Sequence, residues 1–399
     1  MNKVIAMILA GGKGTRMGIL CRTRPKPMLP FAGDHRVIDF TLCNCVQSKI
    51  DNFAVLIDHQ RSVISSYLTC WQSEHIERAR LAVLEPVAGS YSGTADAVFQ
   101  NLEFLERSLA SIVVILAGDH VYSMDYRPMI AYHRQNHADV TIGVVSVPIE
   151  EADRFGTVLL DGDGRIISFE EKTSQPKSNL ASMGIYVFNK DILFKRLKED
   201  SEKLASPHDF GYAVIPRMIK HNKVFAYKFD GYWQDIGTPE SYYRAASDYV
   251  GGKLSIDQKN SKWPKLTIDE AAPSNGTIKK GYVENSIIGR GCIIRGQVIN
   301  SILSSAVTVE EDARVSNSVL FNDVHIGRYS IVDSSILDEG VYIGELCYVG
   351  YRIDHGQNEN ISIIGQGAFV SSNCVISAGS QIEPFSRAFG SKTNPLARN

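Results

Sequence analysis

Residues 4–30 read VIAMILAGGKGTRMGILCRTRPKPMLP, and this stretch sets the reading of everything after it. Val4–Leu9 is an unbroken apolar run of the kind that forms a strand buried on both faces. It empties into Gly11-Gly12-Lys13-Gly14-Thr15-Arg16, and a second cationic cluster, Arg24-Pro25-Lys26-Pro27, follows closely. Glycines remove the Cβ atoms that hold a backbone away from a ligand, so successive N–H groups can face anionic oxygens. Arg16 and Lys26 add the full positive charge that a polyphosphate requires. The spacing departs from the Rossmann G-x-G-x-x-G, and no Gly-Lys-Ser/Thr completes a P-loop.

Outward from this turn, the first 245 residues alternate short apolar runs with mixed segments. Ala54–Ile57, Leu81–Leu84, Ile112–Leu116, Val140–Val147 and Ile185–Phe188 read as further buried strands. Ala95–Arg107 and Arg127–Asn136 have helical spacing. Such alternation predicts an α/β sheet covered by helices, with ligands outside the carboxyl ends of its strands. Gly11–Arg16 and Gly118–His120 each follow a strand directly, which places both on one crevice.

The pattern changes after about residue 280. Asn285-Ser-Ile-Ile, Asn300-Ser-Ile-Leu, Asn317-Ser-Val-Leu and Ser334-Ser-Ile-Leu recur, the last three spaced by 17. Ile364, Val370, Ile376 and Ile382 recur every six residues. Aliphatics at that period predict a hexapeptide-repeat parallel β-helix, three hexapeptides to a coil. Tyr348–Asn360 interrupts the period and is expected to loop out. The expected layout is a domain over 1–245, a linker over 246–280 containing Trp263-Pro264 and Pro273, a β-helix over 281–390 and a tail over 391–399.

Composition narrows the class. The 399 residues are 44% hydrophobic and 22% charged, with a net charge of −2, which argues against nucleic-acid or membrane-surface binding. No apolar run approaches the roughly 20 residues that span a bilayer, and the start shows no signal-peptide pattern. Seven scattered cysteines suggest reduced thiols, so a cytoplasmic protein is expected. Cys43 and Cys45 form C-x-C without a second pair, better read as buried small side chains than as a metal site.

Further words accompany the opening stretch in a fixed order. They are Gly93-Thr94-Ala95-Asp96-Ala97, Leu116-Ala117-Gly118-Asp119-His120, Phe169-Glu170-Glu171-Lys172, Ser182-Met183-Gly184-Ile185-Tyr186, His208-Asp209-Phe210-Gly211 and Tyr232-Trp233-Gln234-Asp235-Ile236-Gly237. Together they resemble the sugar-phosphate nucleotidylyltransferases, and among these the glucose-1-phosphate adenylyltransferase (ADP-glucose pyrophosphorylase) family of the bacterial glycogen pathway. The resemblance covers nearly the whole chain. It implies a Rossmann-like mixed-sheet domain followed by a left-handed β-helix, assembled as a homotetramer, with a mixed assembly including a paralogous subunit as the alternative. The implied substrates are ATP and glucose 1-phosphate, and the implied cofactor is Mg²⁺.

Residue roles follow from that resemblance position by position. Leu9, Ala10, Gly11, Gly12, Gly14, Thr15 and Gly93 would line the nucleotide, with Lys26 on the α-phosphate and Arg16 on the leaving β,γ-phosphates. Asp119 and Asp235 would hold the metal, although alone the first could cap a helix and the second sit in a turn. Lys172 would grip the sugar phosphate, although a lysine beside Glu170 and Glu171 is ordinarily a solvated surface pair. Tyr91, Gly156, Glu171 and Ser182 would complete the sugar-phosphate site together with Asp235. His208 and Asp209 read as structural.

Several positions depart from the family pattern. A short Leu84–Ser90 segment replaces a Gln-rich adenine-recognition stretch, and Ile57-Asp58-His59 stands for Thr-Gln-Tyr. Thr23 replaces an activator-linked lysine, although Arg24 remains, so allosteric control is in doubt. Other nucleotides or sugar phosphates, and a non-catalytic regulatory subunit, are therefore alternatives. A hexapeptide acyltransferase is a third, for which His325 and His355 are the available histidines.

Overall fold

A computed structural model describes residues 3–33, 35–75, 79–87, 89–254, 277–278, 281–351 and 360–389. They fall into two compact units, one within residues 1–13 and 38–233, the other within 14–37 and 234–399. The chain thus changes unit inside the glycine-rich run, between Lys13 and Gly14, and again between Trp233 and Gln234.

The first unit is built on a nine-stranded mixed sheet. Its strands are β1 (Val4–Leu9), β2 (Asn52–Leu56), β3 (Arg80–Leu84), β4 (Ile112–Ala117), β5 (Val140–Ser146), β6 (Gly156–Leu160), β7 (Ile166–Glu171), β8 (Leu180–Asn189) and β9 (Val224–Lys228). The order is β7-β6-β8-β4-β1-β2-β3, with β5 pairing β8 and β9. β1 lies parallel between β2 and β4, and Ile5, Ala6, Met7 and Ile8 are wholly buried, which accounts for the unbroken apolar run. Leu9 is in register with both Leu56 and Ala117. The turns after these three strands therefore leave one edge of the sheet together, where ligands of such sheets collect.

Helices α1 (Val37–Gln47), α2 (Arg61–His75), α3 (Thr94–Phe99), α4 (Leu102–Glu106), α5 (Tyr126–Gln135), α6 (Lys190–Ser201) and α7 (Ile215–Ile219) connect the strands. The single helix expected over Ala95–Arg107 is two short ones. Asn101 breaks it at φ −113°, and its side-chain amide donates to the Ala97 carbonyl at 2.9 Å and to the Tyr91 hydroxyl at 2.9 Å. β8 is longer than the apolar run suggested. Its register with β5 shifts between Ser182 and Tyr186, where Gly184 adopts φ +66°.

The second unit is the β-helix, three parallel sheets of seven, six and six short strands among the described residues. Ile294, Val309, Ile326, Ile343 and Val370 stack inside it without exposure. The Asn-Ser repeat has a direct physical basis. Asn285, Asn300, Asn317 and Ser334 turn one corner at φ +41° to +48°, a conformation asparagine tolerates. Asn285 Nδ2 donates to Asn300 Oδ1 at 2.8 Å. The following serines face inward, and each hydroxyl accepts the backbone N–H of its counterpart one coil on: Ser301 to Ser286, Ser318 to Ser301 and Ser335 to Ser318, at 3.0–3.1 Å. Tyr348–Tyr351, expected within the interruption, is instead a strand in the solenoid ladder; residues 352–359 lie outside the described residues.

The same unit contains residues 14–37 and helix α8 (Pro239–Val250), which runs through residue 245. Tyr242 of α8 donates its hydroxyl to the Pro30 carbonyl at 2.5 Å and meets Phe321 of the solenoid edge-on, ring centroids 6.0 Å apart. Most of the expected linker, with Trp263, Pro264 and Pro273, and the tail lie outside the described residues. Among the described residues no helix is long and apolar enough to cross a membrane.

Candidate active site

The glycine-rich run is shaped by close approach on one side and open space on the other. A Cβ at Gly11 would lie 3.1 Å from Asp58 Cβ, whereas one at Gly12 would meet no protein atom within 4 Å. The Ala10 N–H bonds the Leu56 carbonyl and the Gly118 N–H bonds the Leu9 carbonyl, each at 2.9 Å. Leu9, Ala10 and Gly118 are thereby fixed as one edge. Gly14 takes φ +64° and heads the 3₁₀ turn Thr15–Cys21, with Thr15 and Arg16 exposed.

Within the second unit, Arg16, Lys26 and Asp235 come together. The buried Lys26 ammonium lies 3.4 Å from Asp235 Oδ1. A Cβ on Gly237 would stand 2.8 Å from Asp235 Oδ2 and 3.5 Å from both terminal nitrogens of Arg16. Two cations and a carboxylate therefore share one small cluster around the Gln-Asp-Ile-Gly turn. Arg24 is committed elsewhere: it donates to Asp338 Oδ1 at 2.6 Å and Glu339 Oε2 at 3.2 Å, and covers the Phe321 ring.

In the first unit, Asp119 follows β4 and is flanked by His120. The Trp233 indole N–H donates to His120 Nδ1 at 3.3 Å, which leaves the ring proton of neutral His120 on Nε2. That nitrogen lies 3.6 Å from Asp119 Oδ1. Trp233 also packs on Phe155, centroids 5.3 Å apart. Neither His120 nor Trp233 carries a role in the sequence reading, although both lie in the words that define it.

Of the residues expected on the sugar phosphate, Gly156, Glu171 and Ser182 lie on the neighbouring strands β6, β7 and β8, whereas Tyr91 lies elsewhere in this unit and Asp235 belongs to the second. The Glu171 carboxylate is enclosed by two glycines. A Cβ on Gly156 would stand 2.5 Å from Glu171 Oε2, and one on Gly211 would collide with the same oxygen. Burial raises the Glu171 pKa, against the adjacent Lys172 ammonium, which acts to lower it. Lys172, at φ +47°, reaches Glu171 Oε1 at 3.1 Å and lies over the Tyr212 ring. Burial lowers the Lys172 pKa, but Glu171 outweighs it and the net shift is upward. The Ser182 hydroxyl accepts the Gly184 N–H at 3.3 Å within the β8 bulge. Gly211 escaped the sequence reading; its only signal was the glycine closing His-Asp-Phe-Gly.

Tyr91 and Gly93 lie on the β2–β3 side. A ring carbon of Tyr91 lies 3.6 Å from the Cβ position of Gly11, which sets Tyr91 beside the glycine-rich run rather than with Gly156, Glu171 and Ser182, the residues it was expected to join. Its phenol is pushed up to about 12, chiefly by burial. A Cβ on Gly93 would stand 2.5 Å from the Pro207 carbonyl and collide with that of His208. The His208 carbonyl accepts the N–H groups of Ala95 and Asp96 at 2.9 and 3.1 Å, and Asp209 accepts the Thr94 hydroxyl at 2.8 Å. His208 and Asp209 thus join α3 to Gly211, a structural task.

Cys43 and Cys45 are buried in α1, and burial raises both thiols. Among the described residues no cluster of three or more metal-ligating side chains occurs. His325 stacks on Tyr342 in the β-helix, and His355 lies outside the described residues.

The chain matches two families: Nucleotidyl transferase over residues 5–251 and GlmU-like, C-terminal hexapeptide over residues 272–370. It is 44% identical to a glucose-1-phosphate adenylyltransferase of Clostridium acetobutylicum over 94% of this chain and 99% of that one. It is 43% identical to one of Thermotoga maritima over 77% of this chain and 75% of that one. To one of Desulfitobacterium hafniense it is 38% identical over 96% and 98%. Sheet, solenoid and these extended matches coincide, and the chain belongs to the glucose-1-phosphate adenylyltransferase family of the nucleotidyl transferases.

Proposed function

We propose that this chain transfers the adenylyl group of ATP to glucose 1-phosphate, giving ADP-glucose and pyrophosphate. A phosphate oxygen of glucose 1-phosphate attacks the α-phosphorus of ATP, a new P–O bond forms, and the bond to the β-phosphate breaks with both electrons leaving on pyrophosphate. The attacking oxygen is already ionised, so no general base is required. Positioning and charge neutralisation supply most of the catalysis. The observation that carries this reading is the Lys26–Asp235 pair at 3.4 Å beside Arg16, a cation and carboxylate set suited to a phosphoryl group. Lys26 steadies charge on the α-phosphate, Arg16 takes the departing β,γ-phosphates, and Lys172 binds the acceptor phosphate.

Asp119 and Asp235 supply hard oxygen donors, which fits Mg²⁺, an ion commonly held by one or two carboxylates together with substrate phosphates. Mg²⁺ bound with the substrate would neutralise charge on the polyphosphate and polarise the α-phosphate. Trp233 orients His120 beside Asp119, and Lys26 pairs with Asp235.

The product is a glucosyl donor for α-glucan (glycogen) synthesis in the cytoplasm, and the assembly is a homotetramer. Support for self-association comes from the flat β-helix face, where the rings of His325, Tyr342 and Phe369 stack at 4.7 and 5.1 Å with Tyr342 and Phe369 partly exposed. The test is pyrophosphate release from glucose 1-phosphate with each of ATP, UTP, dTTP, GTP and CTP. ATP should give the highest kcat/KM, and preference for another nucleotide would replace the adenylyl assignment.

A further inference from the structure

Lys172 is placed by its backbone and held at its tip from two sides. It stands just past the end of β7 at φ +47°, a conformation that residues with a Cβ rarely adopt, and its N–H donates to the Phe155 carbonyl at 3.1 Å. The backbone thus sets where the side chain begins. A flexible four-carbon stem leaves the ammonium to be fixed by what it touches. Those contacts are Glu171 Oε1 at 3.1 Å and the Tyr212 ring, whose centroid lies 5.7 Å from Nζ.

Tyr212 is brought there by the turn before it. Asp209 Oδ1 accepts the N–H groups of Gly211 and Tyr212 at 2.8 and 3.0 Å, capping the π-helical turn Phe210–Val214. Two consecutive residues therefore meet the two members of the ion pair: Gly211 presses on the Glu171 carboxylate, and Tyr212 faces the Lys172 ammonium. The Tyr212 ring is 55% exposed, so it adds little to the core, and what it does cover is a charge.

The choice of a ring has a chemical consequence. An ammonium has three donors and no acceptor. Glu171 takes one of them. A ring face attracts the cation through its quadrupole and leaves the charge in place. The remaining donors stay available to an anion, whereas a second carboxylate would compete with a phosphate for them.

We propose that Tyr212 is a positioning residue for the acceptor: its ring holds the Lys172 ammonium ready to meet an anionic phosphate, without neutralising it. This rests on the reading of Lys172 as the group that binds the acceptor phosphate.

The test measures glucose 1-phosphate affinity by titration calorimetry, and KM and kcat by initial rates. It uses the full-length protein and the variants Tyr212→Phe, Tyr212→Leu, Tyr212→Glu, Lys172→Ala and Tyr212→Leu combined with Lys172→Ala. Tyr212→Phe keeps the ring and should stay within about twofold of wild type. Tyr212→Leu keeps an apolar side chain without the ring face, and should weaken glucose 1-phosphate about three- to fivefold, with the KM for ATP unchanged. Tyr212→Glu should weaken it further. Once Lys172 is alanine, Tyr212→Leu should add nothing, because the ring acts through the ammonium. Wild-type affinity in Tyr212→Leu would overturn the proposal, as would an equal loss on both Lys172 backgrounds. A large effect of Lys172→Ala with none from Tyr212→Leu removes this inference and leaves the role of Lys172 standing. Unchanged affinity in Lys172→Ala removes both.

Discussion

Arg24 and Asp338 lie 314 residues apart in sequence and meet at 2.6 Å, with side chains 7% and 0% exposed. The pair ties the Pro25-Lys26 turn to the β-helix inside one unit. Asp338→Ala leaves the buried Arg24 with Glu339 as its remaining carboxylate partner, so it should destabilise by about 1–3 kcal/mol. Replacing both with apolar residues of similar volume should recover much of that loss. Denaturant unfolding of the two variants checks it.

Glu171 makes a pH-dependent contribution whose sign is fixed by its raised pKa. A carboxyl raised on folding stabilises fully below its unfolded pKa, and that contribution is lost as pH rises through the folded value. Thermal unfolding of wild type and Glu171→Gln should show wild type losing ground to the variant from about pH 4 upward. A parallel pair of curves would contradict it.

The enclosure of Glu171 predicts a steric effect that separates the substrates. Gly211→Ala puts a Cβ onto the carboxylate, and Gly156→Ala crowds it and Phe169. Each should raise the KM for glucose 1-phosphate about tenfold with little change for ATP. Initial-rate kinetics with each substrate varied reads the separation.

Under the proposed function, in which this ammonium binds the acceptor rather than the reacting phosphorus, Lys172→Ala should mainly raise the glucose 1-phosphate KM. A fall in kcat alone, at unchanged KM, would move Lys172 into the transition-state machinery.

How much of this was legible in the sequence depends on the kind of contact. The sheet strands and solenoid coils were visible because Val4–Leu9 and the six-residue aliphatic period are local patterns. The Asn-Ser corners were visible as a repeat, but their reason needed φ values and coil-to-coil bonds. Glu171 and Lys172 stood out as a word, while Gly211, which presses on Glu171 from 40 residues away, did not. Asn101 divides a helix that spacing alone left whole, because its amide has a partner outside the helix, the Tyr91 hydroxyl.

The central claim is adenylyl transfer to glucose 1-phosphate that depends on Asp119 and Asp235. Its most direct test is chromatographic detection of ADP-glucose alongside pyrophosphate from ATP, glucose 1-phosphate and Mg²⁺, in wild type and in Asp119→Asn and Asp235→Asn. The account predicts one ADP-glucose for each pyrophosphate in wild type and loss of both products in either variant. Full ADP-glucose formation by Asp119→Asn, or pyrophosphate released without ADP-glucose, would contradict it.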